Sequence, residues 1–232
     1  MKSIIFDMDG VIFDTELVWK RALEEINKKY NLNLDDEYRK SICGKNELLI
    51  REELKQLFPN LDVNKYREEI YNYVNNEIKL GNYNIKNSFL EIVEYLKNKN
   101  YKIALATSSD KARAINMFKN KNIDINIFDA CIFAEDVGNK GKPNPYIFLV
   151  AADKLGVSPN ECYVIEDSIN GLHAAINGSF IPIMVIDLIE PNEYIKNNVQ
   201  YILDDLKEIE NIIKWYIKYQ INRYMNKLIS KW

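Results

Sequence analysis

The first apolar run of the chain, Ile4, Ile5 and Phe6, stops abruptly at Asp7-Met8-Asp9-Gly10-Val11. A run that short, closed by carboxylates and a glycine, reads as a buried parallel strand that delivers Asp7 to its carboxyl end. From Asp14 the period changes: Leu17, Val18, Ala22, Leu23 and Ile26 fall on one helical face, with Asp14 or Thr15 placed to cap it. Further helices are expected over 35–43, 47–58 and 63–80, broken at Gly44 and at Phe58-Pro59-Asn60, so residues 15–85 read as all-helical. Beyond Ser88 helix and strand alternate: helix 88–99, strand 101–107, helix 110–120, strand 130–134, helix 144–155, strand 161–166, helix 168–177 and strand 181–186. A last helical stripe, over 203–232, runs through Leu206, Ile209, Ile213, Ile217, Ile221, Tyr224 and Leu228.

Alternation of this kind builds an α/β fold, a doubly wound parallel sheet with helices on both faces, whose ligands gather at the carboxyl ends of the strands. The first strand belongs with the later block. Residues 1–14 and 86–232 are therefore expected to form the core domain. Residues 15–85 are expected to be an inserted all-helical cap, placed beside the strand ends.

At 232 residues and 47% hydrophobic content the chain has enough apolar surface for a real core. A net charge of -3 gives no overall pull toward nucleic acid, although the lysines could form a local pocket for a small anion. Cys43, Cys131 and Cys162 are odd in number and widely spaced, which suggests neither a disulfide framework nor a zinc site and fits a reduced compartment. No basic-then-apolar leader is visible and no stretch approaches the ~20 apolar residues that cross a bilayer, so a cytoplasmic location away from membranes is expected. The final helical stripe is expected to pack on its own core rather than on a partner, which favours a monomer over a dimer.

The candidate chemistry lies at the predicted strand ends. Of two acids one residue apart, one can attack phosphorus or bind a metal while the other gives and takes a proton. A calcium loop does not fit, because Gly10 is at the fourth position rather than the sixth and Val18 replaces the closing glutamate. Thr107-Ser108-Ser109 sits before a helix start, where hydroxyls and free N–H groups suit a phosphate oxygen. Lys142 precedes Pro143, which biases the backbone toward an extended course and aims the ammonium. Glu166 and Asp167 end the strand 161–166, and acids held together there call for a cation; with Asp7 they offer the oxygen ligands that magnesium prefers. Each has an ordinary reading when taken alone: a solvated turn, a helix cap, a surface lysine, acids favoured by a helix dipole. Their appearance in order at successive strand ends argues for one site. Lys45, between two helices of the cap, is a candidate for meeting a second anionic group or a sugar hydroxyl of the substrate.

This order of motifs, Asp7-Met8-Asp9-Gly10-Val11, Thr107-Ser108-Ser109, Lys142-Pro143-Asn144-Pro145 and Glu166-Asp167-Ser168, closely resembles the haloacid dehalogenase-like hydrolases, and within them the beta-phosphoglucomutase and sugar-phosphatase branch. The resemblance implies that Asp7 is a nucleophile that becomes an aspartyl phosphate and that Asp9 is the acid and base. It implies Mg²⁺ held by Asp7, Asp167 and the backbone carbonyl of Asp9, with Glu166 as a ligand or a partner of one. Thr107, Ser108 and Lys142 would hold the phosphoryl oxygens. An acid at Asp9 separates the chain from relatives that cleave carbon–halogen or carbon–phosphorus bonds. A mutase of this branch would want a histidine at Trp19, and the chain's only histidine, His173, is expected on a helix surface. Another departure is Ile85-Lys86-Asn87-Ser88 in place of the family's Pro-Gly turn. The expected activity is a phosphatase acting on a small phosphorylated metabolite, with sugar phosphates first and phosphoglycolate or nucleoside monophosphates open. The alternatives are phosphoryl migration on a hexose phosphate and a non-catalytic phosphometabolite-binding protein.

Overall fold

The computed structural model describes residues 3–42, 47–215 and 218. Strand β1 (Ser3–Phe6) leads through a tight loop into β2 (Phe13–Asp14), and helices α1 (Glu16–Tyr30), α2 (Asp36–Ile42), α3 (Glu47–Leu57) and α4 (Val63–Leu80) follow. The chain returns through β3 (Asn84–Ile85), α5 (Phe89–Asn98), β4 (Lys102–Ala106), α6 (Lys111–Asn120), β5 (Ala130–Ile132), α7 (Ala134–Val137) and α8 (Tyr146–Leu155). It continues with β6 (Cys162–Glu166), α9 (Ile169–Asn177), β7 (Ile181–Val185), α10 (Glu193–Asn198) and β8 (Tyr201–Leu203).

Among the described residues, six parallel strands form one sheet in the order β5-β4-β1-β6-β7-β8. The chain winds outward from β1 first through β4 and β5 and then through β6, β7 and β8. The carboxyl ends of β1, β4 and β6 therefore meet at the point where the strand order reverses, which is where such sheets bind ligands. Alternation along β1 explains its burial on both faces. Ile4 and Phe6 join a cluster with Phe89, Leu96 and Phe118, while Ile5 joins Ala104, Phe148, Ala151 and Val164 on the other side.

The helical segment α1–α4 enters and leaves side by side. Phe13 pairs with Ile85 and Asp14 with Asn84 in a short antiparallel ladder, and Lys86 N–H donates to the Ile12 carbonyl at 2.8 Å. Two residues per strand were too few to be read from a period of alternation. Phe13 also packs edge-on against Tyr83 and Phe118, with ring centroids 5.4 and 4.9 Å apart, which ties this ladder to α6. Where a Pro-Gly turn is absent, Ser88 takes the left-handed conformation itself, at φ 65°. Thr15 occupies the N-cap position of α1 but its hydroxyl makes no capping bond. Inside the helical segment, the buried Tyr66 hydroxyl donates to Asn27 Oδ1 at 2.6 Å and Asn27 Nδ2 donates to the Leu34 carbonyl at 2.9 Å.

The expected helix over 203–232 needs correction at its start. Leu203 ends β8 on the sheet edge, residues 206–208 form a single 3₁₀ turn, and helix runs from 209 to 215. Leu206, Ile209 and Ile213 are buried in the main cluster, as the stripe predicted, while Ile217, Ile221, Tyr224 and Leu228 lie outside the described residues. A three-residue edge strand leaves no periodicity of its own, so the helical stripe that follows masked it. Among the described residues no helix is long and apolar enough to cross a membrane.

Candidate active site

Asp7 is the first residue past β1, and its N–H still donates to the Ile165 carbonyl of β6 at 3.0 Å. That bond extends the ladder by one residue and fixes the root of the side chain. Beyond it the backbone folds back on itself: Ile12 and Phe13 N–H donate to the Met8 carbonyl at 2.8 and 3.0 Å, and Gly10 N–H donates to Phe13 at 2.8 Å. Gly10 sits at φ 80°, and a Cβ there would overlap the Asp167 carboxylate. Glycine serves both the turn and the close approach.

On the neighbouring strand, Glu166 is buried with 1% exposure and its Oε2 accepts from Asp167 N–H at 3.1 Å, Ser168 N–H at 3.0 Å and Ser168 Oγ at 2.9 Å. The same serine hydroxyl accepts from Gly171 N–H at 3.0 Å, and Gly171 has no room for a Cβ beside the Glu166 carboxylate. Glu166 thus shapes the start of α9 as much as it faces the site. Its Oε1 accepts from Lys142 Nζ at 2.5 Å, and Lys142 also bonds to Asp7 Oδ1. The lysine is 7% exposed at its side chain, 4.9 Å over the Phe148 ring, and reached through a cis Lys142–Pro143 peptide.

One oxygen each from Asp7, Glu166 and Asp167 lie within 4.8 Å of one another. Burial, opposed by Lys142 and reinforced by Glu166 and Asp9, pushes the Asp7 carboxyl from 3.8 up to about 7. Burial, then the charges of Glu166, Asp7 and Asp187, raise Asp167 well above its ordinary value. Burial alone would lower Lys142, but Asp7 and Glu166 more than offset it and hold the ammonium charged. Three crowded carboxylates with one ammonium leave an excess of negative charge in a buried place. The donors are all oxygens, which suits a hard divalent cation that keeps some of its water, and Mg²⁺ fits this set.

Thr107 is buried at the end of β4, with its N–H on the Ile132 carbonyl and its Oγ1 accepting from Ser109 N–H, each at 3.0 Å. Ser108, the next residue, is exposed. Ser109, read from the sequence as one of the hydroxyls for a phosphate oxygen, bonds Asp9 instead, and Arg113, which the sequence did not single out, joins it. Ser109 Oγ donates to Asp9 Oδ2 at 3.0 Å and Arg113 Nη2 to Asp9 Oδ1 at 2.9 Å. The signal available was spacing: Arg113 follows Ser109 by four residues across a helix start, so one turn brings both toward the same place. Glu16, at the start of α1, pairs with Arg39 at 3.1 Å, and burial, relieved by Arg39 and reinforced by Asp187 and Asp9, raises it to about 7. Glu16 thereby brings α1 to the edge of the site. Lys45 lies outside the described residues. His173 is on α9 as expected, half-buried and stacked on the Tyr194 ring with centroids 4.6 Å apart.

A carboxylate cluster with a buried lysine thus stands at the switch point of a parallel sheet that carries a helical insertion, the place where α/β enzymes of this architecture bind their ligands. A model of the haloacid dehalogenase-like hydrolases matches residues 4–185, and the chain belongs to that family. It is 33% identical over 178 residues to the phosphorylated carbohydrates phosphatase of Thermotoga maritima, covering 75% of this chain and 80% of that one. It is likewise 33% identical over 186 residues to the beta-phosphoglucomutase of Bacillus subtilis, covering 75% and 78%. Among solved structures, a beta-phosphoglucomutase from Clostridium difficile superimposes with a TM-score of 0.68 at 25% identity, over 95% of this chain and 99% of that one.

Proposed function

We propose that the chain is a Mg²⁺-dependent phosphatase, a cytoplasmic monomer that hydrolyses a small phosphorylated metabolite of the sugar phosphate class through an aspartyl phosphate on Asp7. The observation that carries this reading is the convergence of Asp7, Glu166 and Asp167 within 4.8 Å around Lys142, with Asp9 two residues beyond Asp7. A transferring phosphoryl group needs an aligned nucleophile and positive charge more than it needs elaborate covalent chemistry.

In this reading Asp7 attacks phosphorus while Asp9 delivers a proton to the departing oxygen. In the second half Asp9 takes a proton from water as the water attacks the aspartyl phosphate. Lys142, Thr107 and Ser108 hold the phosphoryl oxygens, and residues 15–85 act as a cap over them, with Lys45 reaching the rest of the substrate. Asp7, Asp167 and the Asp9 carbonyl would hold Mg²⁺, with Glu166 as a ligand or a partner of one; when bound, the ion would offset the negative charge gathered on acids and phosphoryl oxygens.

The Thermotoga maritima relative, named for phosphorylated carbohydrates, supports sugar phosphates as first substrates to try. The Bacillus subtilis relative keeps the mutase in view, but a mutase of this branch would want a histidine where Trp19 stands, edge-on to Tyr71 at 5.2 Å. The test is phosphate release from a panel of phosphorylated sugars and small metabolites, with Mg²⁺ or EDTA, for wild type, Asp7→Asn and Asp9→Asn. Magnesium-dependent release lost in both variants supports the phosphatase. Absence of release from every compound overturns it, and conversion of beta-glucose 1-phosphate to glucose 6-phosphate would then establish the mutase.

A further inference from the structure

The carboxylate of Asp9 is gripped at both oxygens from one stretch of the α/β core, the β4–α6 connection and the helix that follows it. Ser109 Oγ donates to Oδ2 at 3.0 Å from the loop between β4 and α6, and Arg113 Nη2 donates to Oδ1 at 2.9 Å from the first turn of α6. The arginine is itself anchored, since its N–H donates at 2.8 Å to Asp110 Oδ1, the cap of that helix. Arg113 Nε is buried without a hydrogen-bond partner. The side chain as a whole is 27% exposed, so the guanidinium reaches Asp9 from the rim of the site with its Nε enclosed. The backbone of Asp9 is itself bridged to Phe13 in the same turn. Among the described residues, the hydrogen bonds to the Asp9 carboxylate all come from core residues and none from α1–α4.

We propose that Arg113 is the positioning residue for Asp9. With Ser109 it aims the carboxylate at the aspartyl phosphate from the core side, wherever the helical segment stands, and so commits that intermediate to water. The inference rests on the phosphatase reading above and accounts for why hydrolysis, rather than transfer to a second sugar oxygen, would follow. A carboxylate offers about four acceptor directions. Ser109 and Arg113 occupy one on each oxygen and leave the others for the attacking water. In that step the water oxygen forms the new bond to phosphorus, and the bond from phosphorus to the Asp7 oxygen breaks with its electron pair returning to the Asp7 carboxylate. The water's proton passes to Asp9, and inorganic phosphate departs. Arg113 is not placed to take part in the bond changes at phosphorus and acts only through the Asp9 carboxylate it orients.

The test uses p-nitrophenyl phosphate, whose departing oxygen needs little protonation, so that formation of the aspartyl phosphate reports on Asp7 and its decay reports on Asp9. Arg113→Gln is expected to lower kcat by ~10- to 100-fold, a large part of what a well-placed proton acceptor supplies. Its kcat/KM is expected to stay within ~3-fold, because the first half-reaction is left in place. Acid-quenched Arg113→Gln enzyme should then carry the phosphoryl group, seen as added mass on the intact protein. Arg113→Lys, which keeps the charge, should recover most of kcat, and Ser109→Ala, which removes the other bond, should reproduce part of the loss with the same split. The proposal is overturned by a wild-type kcat in Arg113→Gln, by equal losses in Arg113→Gln and Arg113→Lys, or by kcat and kcat/KM falling together without trapped phosphoenzyme. If wild-type protein releases no phosphate from any phosphomonoester, it is the phosphatase reading itself that fails.

Discussion

Gly10 and Asp167 face each other across the strand ends with no space for a side chain between them. The glycine holds φ 80°, and a Cβ on it would occupy the position of the Asp167 carboxylate. Gly10→Ala should therefore strain the turn and push Asp167 out of the cluster with Asp7 and Glu166. Disturbing the partners that orient a ligand typically costs 10- to 100-fold in metal affinity, and a weakening of about that size is expected in a calorimetric titration with Mg²⁺. Unchanged affinity would show that Asp167 does not bind the ion.

Lys142 is the sole ammonium bonded to Asp7 and Glu166 among the described residues, and all three side chains are buried. Removing one partner of a buried ion pair leaves uncompensated charge and typically costs ~3–5 kcal/mol. Lys142→Ala should lose about that much in urea unfolding without metal, and the double change Lys142→Ala with Asp7→Asn should lose less. Equal losses in the two proteins would show that the lysine contributes by packing against Phe148 rather than by charge.

Metal binding and pH should be linked in a defined direction. Asp7 is raised from 3.8 to about 7 by burial and its acidic neighbours, and Asp167 is raised as well. A carboxyl raised in the folded state binds more protons folded than unfolded, so metal-free stability falls as pH rises from about 4 and the cost is complete above about 7. Mg²⁺ replaces those protons. The gain in melting temperature on adding Mg²⁺ over EDTA should be larger at pH 8 than at pH 5.5, and a gain independent of pH would place the ion away from these acids.

Lys45 tests whether the proposed cap reads the substrate. A hydrogen bond to a charged group typically contributes 1.5–3 kcal/mol, so Lys45→Ala should raise KM for the best substrate by ~10-fold or more with kcat little changed. Wild-type kinetics would remove Lys45 from the substrate's surroundings.

Several features were legible along the chain because they are local. Ile4-Ile5-Phe6 ending at Asp7, the 3.6-residue stripe of α1, and the alternation after Ser88 each rest on neighbours in sequence, and side-chain direction follows from backbone period alone. The acids, hydroxyl and lysine at strand ends were likewise readable, since a parallel sheet must bring its carboxyl ends to one side. What only the tertiary structure decided lies in pairings between distant segments. The two-residue ladder of Phe13–Asp14 with Asn84–Ile85 and the edge strand Tyr201–Leu203 exist because a partner strand supplies their hydrogen bonds, and such short runs carry no period. The partition of Thr107, Ser108 and Ser109 into buried, exposed and Asp9-bonded depends on where α6 begins relative to the loop after Asp7. Nothing in its immediate sequence marks Arg113 for a site. Its meaning comes from a carboxylate 104 residues earlier in the chain, brought within 2.9 Å when β4 pairs beside β1.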